Sequence, residues 1–158
     1  MEQSVTTKRD RPLIILMADD DRDDCALIKE AFVENKLETD LRFVENGEDL
    51  LDYLRHRSRY AESNLSPRPC LILLDLNMPI KDGREALKEI KSDPDLRRIP
   101  IVVLSTSGEE RDVLLSYDLG ACSFITKPVM FAHLVELVKS LSVYWLEMVV
   151  LPPENKPH

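Results

Sequence analysis

Cys70-Leu71-Ile72-Leu73-Leu74-Asp75-Leu76-Asn77-Met78-Pro79 is the stretch that decides the fold. Five apolar residues run without interruption into one carboxylate. A run of this length reads as a strand buried on both faces, and Met78-Pro79 marks the turn out of it. Burial on both faces suits a parallel sheet, whose chemistry gathers beyond the carboxyl ends of its strands. Asp75 stands at that position. A buried charge is costly unless partners compensate it, so other strands must supply them.

Working outward, Leu13 to Ala18 is an apolar strand ending at Asp19, Asp20 and Asp21. Asp23 to Asn35 follows with helical periodicity and an acidic first turn that suits the helix dipole. Thr39 to Val44 alternates like a strand, and Glu48 to Arg57 is a second helix. Ser58 to Pro69, rich in Ser, Arg and Pro, reads as a long loop. After Asp75, Gly83 to Lys91 is a third helix. Ile101 to Leu104 is a strand ending at Ser105-Thr106-Ser107-Gly108. Glu109 to Leu119 is a short helix stopped by Gly120. Cys122 to Thr126 is a strand closing on Lys127-Pro128, and Val129 to Val150 is one long last helix. Strand and helix alternate five times, which specifies an α/β fold with a parallel sheet and helices on both faces.

The length of 158 residues suits one domain. Residues 1–11 read as a loose tail, 12–151 as the folded domain and 152–158 as a second tail. A net charge of -8 argues against nucleic-acid binding, which needs a basic face. Cys25, Cys70 and Cys122 are odd in number and widely spaced, so they read as small core side chains rather than a disulfide framework. No signal-type segment and no apolar run of about 20 residues is present, so a cytoplasmic protein away from the membrane is expected. His56, His133 and His158 fit no ligand spacing. Asp23-Asp24 and Glu109-Glu110 read as helix-start charges.

In such a sheet all carboxyl ends share one edge. Asp19 and Asp20 end the first strand, Asp75 the third, Ser105 the fourth and Lys127 the fifth. Three carboxylates together repel one another. A hard divalent cation relieves this, and a few oxygen ligands suit Mg²⁺. Lys127 adds a second positive charge.

These residues resemble the receiver domains of two-component response regulators. The resemblance rests on Asp19-Asp20 after Leu13-Ile14-Ile15-Leu16, on Leu73 to Pro79 with Asp82-Gly83, on Val102-Val103-Leu104-Ser105 and on Lys127-Pro128, and it covers nearly the whole chain. It implies the flavodoxin-like (βα)5 receiver fold, with a five-stranded parallel sheet. It implies that Asp75 accepts a phosphoryl group from a sensor histidine kinase. Asp20, Asp75 and the backbone carbonyl of Asn77 would bind Mg²⁺ directly, Asp19 would act through water, and Lys127 would contact the acyl phosphate. Ser105 would turn toward the new phosphoryl group and Phe124 would move inward behind it. The Lys127-Pro128 bond is expected to be cis. Such a protein is a phosphoacceptor that catalyses only its own phosphorylation and dephosphorylation. The long loop before Cys70, Leu104-Ser105-Thr106-Ser107 and Tyr144-Trp145-Leu146-Glu147 are similar to the small response regulators of phytochrome-type photoreceptor kinases, which would make the partner a light-sensing kinase.

Two rivals remain open on the residues alone. A Mg²⁺-dependent phosphohydrolase of the haloacid-dehalogenase type also uses an aspartyl nucleophile, but carries an acid two residues later, where this chain has Asn77. A receiver-shaped module that binds partners without phosphorylation would not need the full acidic set and Lys127. The chain stops soon after the last helix, so output is expected through protein contact rather than a DNA-binding domain. Val143 to Leu151 is apolar or aromatic except for Glu147. An end apolar all round calls for cover on more than one side, which predicts a homodimer through this helix, with the neighbouring strand and helix.

Thr106 departs from the small residue common after the switch hydroxyl in this family. Its branched side chain narrows the approach to Asp75. Thr106→Ala is expected to speed phosphorylation by acetyl phosphate, measured as the initial labelling rate. An unchanged rate would rule out gating by Thr106.

Overall fold

The computed structural model describes residues 13–37 and 39–153. The expected tail 1–11 and the last five residues of the expected tail 152–158 lie outside the described residues. Five strands form one parallel sheet: β1 (Ile14–Ala18), β2 (Asp40–Val44), β3 (Leu71–Leu74), β4 (Ile101–Ser105) and β5 (Ser123–Thr126), in the order β2-β1-β3-β4-β5. The helices are α1 (Arg22–Glu34), α2 (Gly47–Leu54), α3 (Gly83–Ser92), α4 (Glu110–Asp118) and α5 (Phe131–Ser142). This is the doubly wound arrangement that the sequence pattern specifies.

The uninterrupted apolar strands are explained by two cores. Leu16, Ala18, Ile72, Leu74, Ile101 and Val103 face α2 and α3 through Leu50, Leu51, Leu54, Ala86, Leu87 and Ile90. Their chain neighbours Ile15, Met17, Leu71, Leu73, Val102 and Leu104 face α1 and α5 through Ile28, Ala31, Phe32, Leu134, Val138 and Leu141. A strand of period two feeds both layers at once, so every position must be apolar. Each such side chain fully buried contributes about 1.5–3 kcal/mol. The edge strands differ. β2 is half-buried over four of its five residues, and β5 is half-buried or exposed throughout.

Several expectations need correction. The long loop contains two short 3-10 turns, Ser58–Tyr60 and Ser63–Leu65. The last helix is not continuous to Val150: α5 ends at Ser142, and Val143–Met148 winds as a π-helical turn closed by Val149 N–H donating to the Tyr144 carbonyl at 2.9 Å. An apolar run interrupted by Glu147 alone carries little record of its own winding. The cysteines are not fully buried core residues: Cys25 and Cys70 are half-buried, Cys70 against the α1–α5 core, and Cys122 is exposed where it precedes the edge strand β5. No cis peptide bond occurs among the described residues, so Lys127-Pro128 is trans. The isomers of an X-Pro bond differ by only about 0.5–1 kcal/mol in favour of trans, and the trans form already delivers the Lys127 side chain to its partners.

Gly83 has a defined steric role at the start of α3. A Cβ there would lie 2.7 Å from the Leu76 Cα and nearer still to the Asp75 carbonyl oxygen. Both are backbone atoms that cannot swing aside. Its own N–H donates to the Leu76 carbonyl at 2.9 Å. The helix therefore seats directly on the chain leaving β3. Gly83→Ala is expected to cost about 1–3 kcal/mol through overpacking and to displace Asp75, read from the urea midpoint and the amide spectrum around residue 75. An unchanged midpoint would mean that this backbone yields freely.

Candidate functional site

The sheet order places β1 beside β3, where the connections diverge to opposite sides and leave a crevice beyond the strand ends. Each strand-end residue is fixed by one more hydrogen bond along the ladder. Asp19 N–H donates to the Val44 carbonyl at 3.0 Å, Asp75 N–H to the Ala18 carbonyl at 3.0 Å, and Lys127 N–H to the Ser105 carbonyl at 2.8 Å. Side chains from distant parts of the chain thus inherit the rigidity of the sheet.

Asp19, Asp20 and Asp75 converge, with ligand oxygens all within 4.8 Å of one another. Asp19 and Asp75 are buried and Asp20 is exposed. Such an oxygen-only set, open on one side, fits a hard divalent cation that keeps part of its water. The Asn77 N–H donates to Asp75 Oδ1 at 3.1 Å and fixes one oxygen of that carboxylate. Asp21 caps α1 by accepting from the Asp23 and Asp24 N–H groups, while its own N–H donates to Asp19 Oδ1 at 2.9 Å.

Lys127 is the counter-charge. Its side chain is 8% exposed, and Nζ lies 2.7 Å from Asp19 Oδ2, 2.8 Å from Asp24 Oδ2 and 3.5 Å from Asp75 Oδ2. Burial alone would lower its pKa, but the hydrogen bonds to Asp19 and Asp24 outweigh that and hold it above the ordinary lysine range. For Asp19, burial prevails over the help from Lys127 and pushes the pKa up to about 6. Beside them, burial and the Asp19 charge push the Cys25 thiol up to about 12. Cys25 is therefore a packing neighbour whose Sγ donates to the Asp19 carbonyl at 3.7 Å, not a thiolate.

Ser105 is fully buried at the end of β4, and its Oγ accepts from the Ser107 N–H at 3.2 Å. Thr106 is exposed. Phe124 is set apart from the carboxylates. It sits in register with Val103, is half-buried against the α2–α3 core, and donates its N–H to Tyr117 Oη at 3.2 Å.

Two features escaped the sequence. Asp24 reads as a helix-start charge, yet its carboxylate is spent on Lys127. Behind Ser105 lies a buried Asp112, which accepts from the Arg84 guanidinium at 2.8 Å and from Ser107 Oγ at 3.2 Å. Arg84 holds its pKa below the usual carboxylate range. The place of Asp24 in the first turn of α1, directly after the strand that leads into Asp19, was the available signal for the first. Nothing local marks the second, because its partners come from α3, α4 and the loop after β4.

Residues 15–139 match the family model described as the response regulator receiver domain. The chain is 42% identical over 141 residues to the response regulator Rcp1 of Synechocystis, spanning 89% of this chain and 94% of that one. A crystal structure of the phosphorylated cyanobacterial phytochrome response regulator RcpA superposes with a TM-score of 0.83 at 44% identity, covering 90% of this chain and 99% of the other. The Mn²⁺-bound form of Rcp1 gives a TM-score of 0.81 at 42% identity, covering 90% and 100%. No helix among the described residues is long and apolar enough to cross a membrane.

The raised Asp19 pKa carries a sign. A carboxyl raised above its unfolded value favours the folded state when protonated, a contribution present below the ordinary value of 3.8 and lost as pH rises through about 6. The same proton competes with a cation. Acidification from pH 7 to 5 is expected to raise the stability contribution of Asp19 in the metal-free chain and to weaken divalent-cation binding, by about tenfold per pH unit below the midpoint. Calorimetric titrations with the cation, paired with melting curves in chelator, check it. A cation affinity flat across this range would refute it.

Proposed function

The chain belongs to the response regulator receiver family, and on that premise we propose that Asp75 accepts a phosphoryl group from the phosphohistidine of a sensor histidine kinase, in the cytoplasm and with Mg²⁺ as the cation. The observation that carries this reading is the convergence of Asp19, Asp20 and Asp75, with ligand oxygens within 4.8 Å of one another, and of the Lys127 ammonium 3.5 Å from Asp75 Oδ2. A carboxylate oxygen of Asp75 attacks phosphorus, the O–P bond forms as the N–P bond of the donor breaks, and the imidazole leaves with its electron pair. Such a transfer needs alignment and charge neutralisation more than covalent assistance. Asp20, Asp75 and the Asn77 carbonyl would hold Mg²⁺, with Asp19 acting through bound water, and the ion would supply charge neutralisation at the phosphoryl oxygens. Lys127 neutralises another of them. The protein is a phosphoacceptor that catalyses only its own phosphorylation and hydrolysis.

The phytochrome-type partner draws support from the likeness to RcpA, and the metal from the Mn²⁺-bound Rcp1. The domain is taken to span residues 12–151. Ser105 and Phe124 form the switch: the hydroxyl exchanges its Ser107 N–H partner for the phosphoryl group, and Phe124, already half-buried, follows inward.

Output runs through a homodimer built on the end of the chain. Trp145 and Leu146 pack on the α1–α5 core, whereas Tyr144 and Met148 are exposed and Val150 is 95% exposed. Leu114 and Tyr117 of α4 add exposed apolar surface beside β5. A self-complementary patch is the simplest cover.

One experiment tests both halves. Phosphotransfer from phytochrome-type and unrelated kinases is measured on wild type and Asp75→Asn, with sedimentation before and after. Labelling is expected for wild type, none for Asp75→Asn, and a dimer at micromolar concentration. Labelling of Asp75→Asn at the wild-type rate would refute the acceptor, and a monomer in both states would refute the dimer.

A further inference from the structure

Lys127 has three N–H donors, and three carboxylates surround it. The shortest contacts go to Asp19 at 2.7 Å and Asp24 at 2.8 Å, and the longest, 3.5 Å, goes to Asp75. The ammonium is thus anchored on its neighbours rather than on the carboxylate to be modified. We infer that Asp24 is a positioning residue, the exchangeable partner that holds Lys127 in the unphosphorylated chain and competes with the phosphoryl group for its ammonium. This inference deepens the phosphoacceptor reading above and rests on it.

Burial decides which partner exchanges. The Asp19 side chain is 0% exposed and the Asp24 side chain 33%. Stripping an ion pair from a fully buried carboxylate leaves a charge with no solvent, at a large cost. Releasing Asp24 returns a partly wet carboxylate to water, at the scale of an exposed pair. A phosphoryl group on Asp75 brings new anionic oxygens toward Nζ. The ammonium can lean toward them while keeping Asp19, provided that it gives up Asp24. The helix start does not require Asp24 for this: Asp21 supplies the cap, and Asp23 supplies acidic charge in the same turn. Asp24 is directed across the gap to Lys127, 103 residues away in the chain.

Asp23 provides an internal control, because it carries the same charge in the same helical turn. Asp24→Ala, Asp23→Ala and Asp24→Glu are compared with wild type in the full chain. The first readout is the Lys127 ammonium resonance without metal or phosphoryl mimic, whose hydrogen exchange reports the anchor directly. The second is the beryllofluoride dissociation constant at saturating Mg²⁺. Asp24→Ala is expected to speed ammonium exchange and to tighten beryllofluoride by about threefold, the scale of a partly exposed ion pair. Asp23→Ala is expected to leave both near wild type, and Asp24→Glu to return both toward it. Equal shifts in Asp24→Ala and Asp23→Ala would reduce the effect to general charge and overturn the inference. So would an Asp24→Ala protein whose beryllofluoride affinity is unchanged or weaker. Wild type binding no beryllofluoride would instead overturn the phosphoacceptor reading, and this inference with it.

Discussion

One ammonium group shared among three carboxylates, Asp19, Asp24 and Asp75, with Asp20 beside them, is the interaction on which the site depends. Asp19, Asp20 and Asp75 arrive on two neighbouring strands, Asp24 on the first turn of α1, and Lys127 at the end of the outermost strand. Without Lys127 the buried Asp19 would lose the ammonium that pairs with it at 2.7 Å. With Lys127 alone the cluster still carries excess negative charge. That excess makes a divalent cation the natural completion, since the phosphoryl group proposed to reach Asp75 is itself an anion and would meet repulsion until the field is neutralised. The raised pKa of Asp19 comes first from its burial, with the Asp75 charge a lesser contribution, and Lys127 offsets it only in part.

The sheet is what makes such a cluster affordable. Its three central strands are apolar at every position up to Ser105 at the end of β4, because two cores claim alternate residues. The layers leave the polar groups nowhere to go but the carboxyl edge. At that edge the backbone is tightly constrained: ladder hydrogen bonds continue to Asp19, Asp75 and Lys127, and Gly83 presses α3 onto the carbonyl of Asp75. Stability and chemistry are therefore divided along the strand direction. Substitutions low in β3 act on packing, and substitutions one residue beyond its end act on charge.

This division explains what was legible in the sequence. Fully buried strands announce themselves, since no other element of that length is apolar at each position, and their terminal acids follow from the same reading. Asp19, Asp20, Asp75, Ser105 and Lys127 were found because they directly terminate strands. Asp24 was not, because an acid in the first turn of a helix already has a sufficient local explanation in the dipole. Asp112 and Arg84 were not, because their pairing spans 28 positions with no periodic signal. The winding of Val143–Met148 was illegible for the opposite reason. Period is read from contrast between polar and apolar positions, and that segment has almost none. Cys122 was misread as core because apolar neighbours in sequence do not distinguish a central strand from an edge.

The position of Lys127 also constrains how a change at Asp75 reaches the proposed dimer face. Lys127 is bonded through its side chain to the first turn of α1 and followed four residues later by the start of α5. These two helices lie side by side on one face of the sheet, where Asn35 Nδ2 at the end of α1 donates to the Val135 carbonyl of α5 at 3.0 Å. The Asp24–Lys127 pair and the Asn35–Val135 bond thus tie α1 to the β5–α5 segment at two levels. Between those ties Ile28, Ala31 and Phe32 of α1 share one apolar core with Leu134, Val138 and Leu141 of α5. The packed helix pair joins the surroundings of Lys127 to the π-helical turn as one contiguous physical route. In this chain that route begins at the charge balance around one lysine.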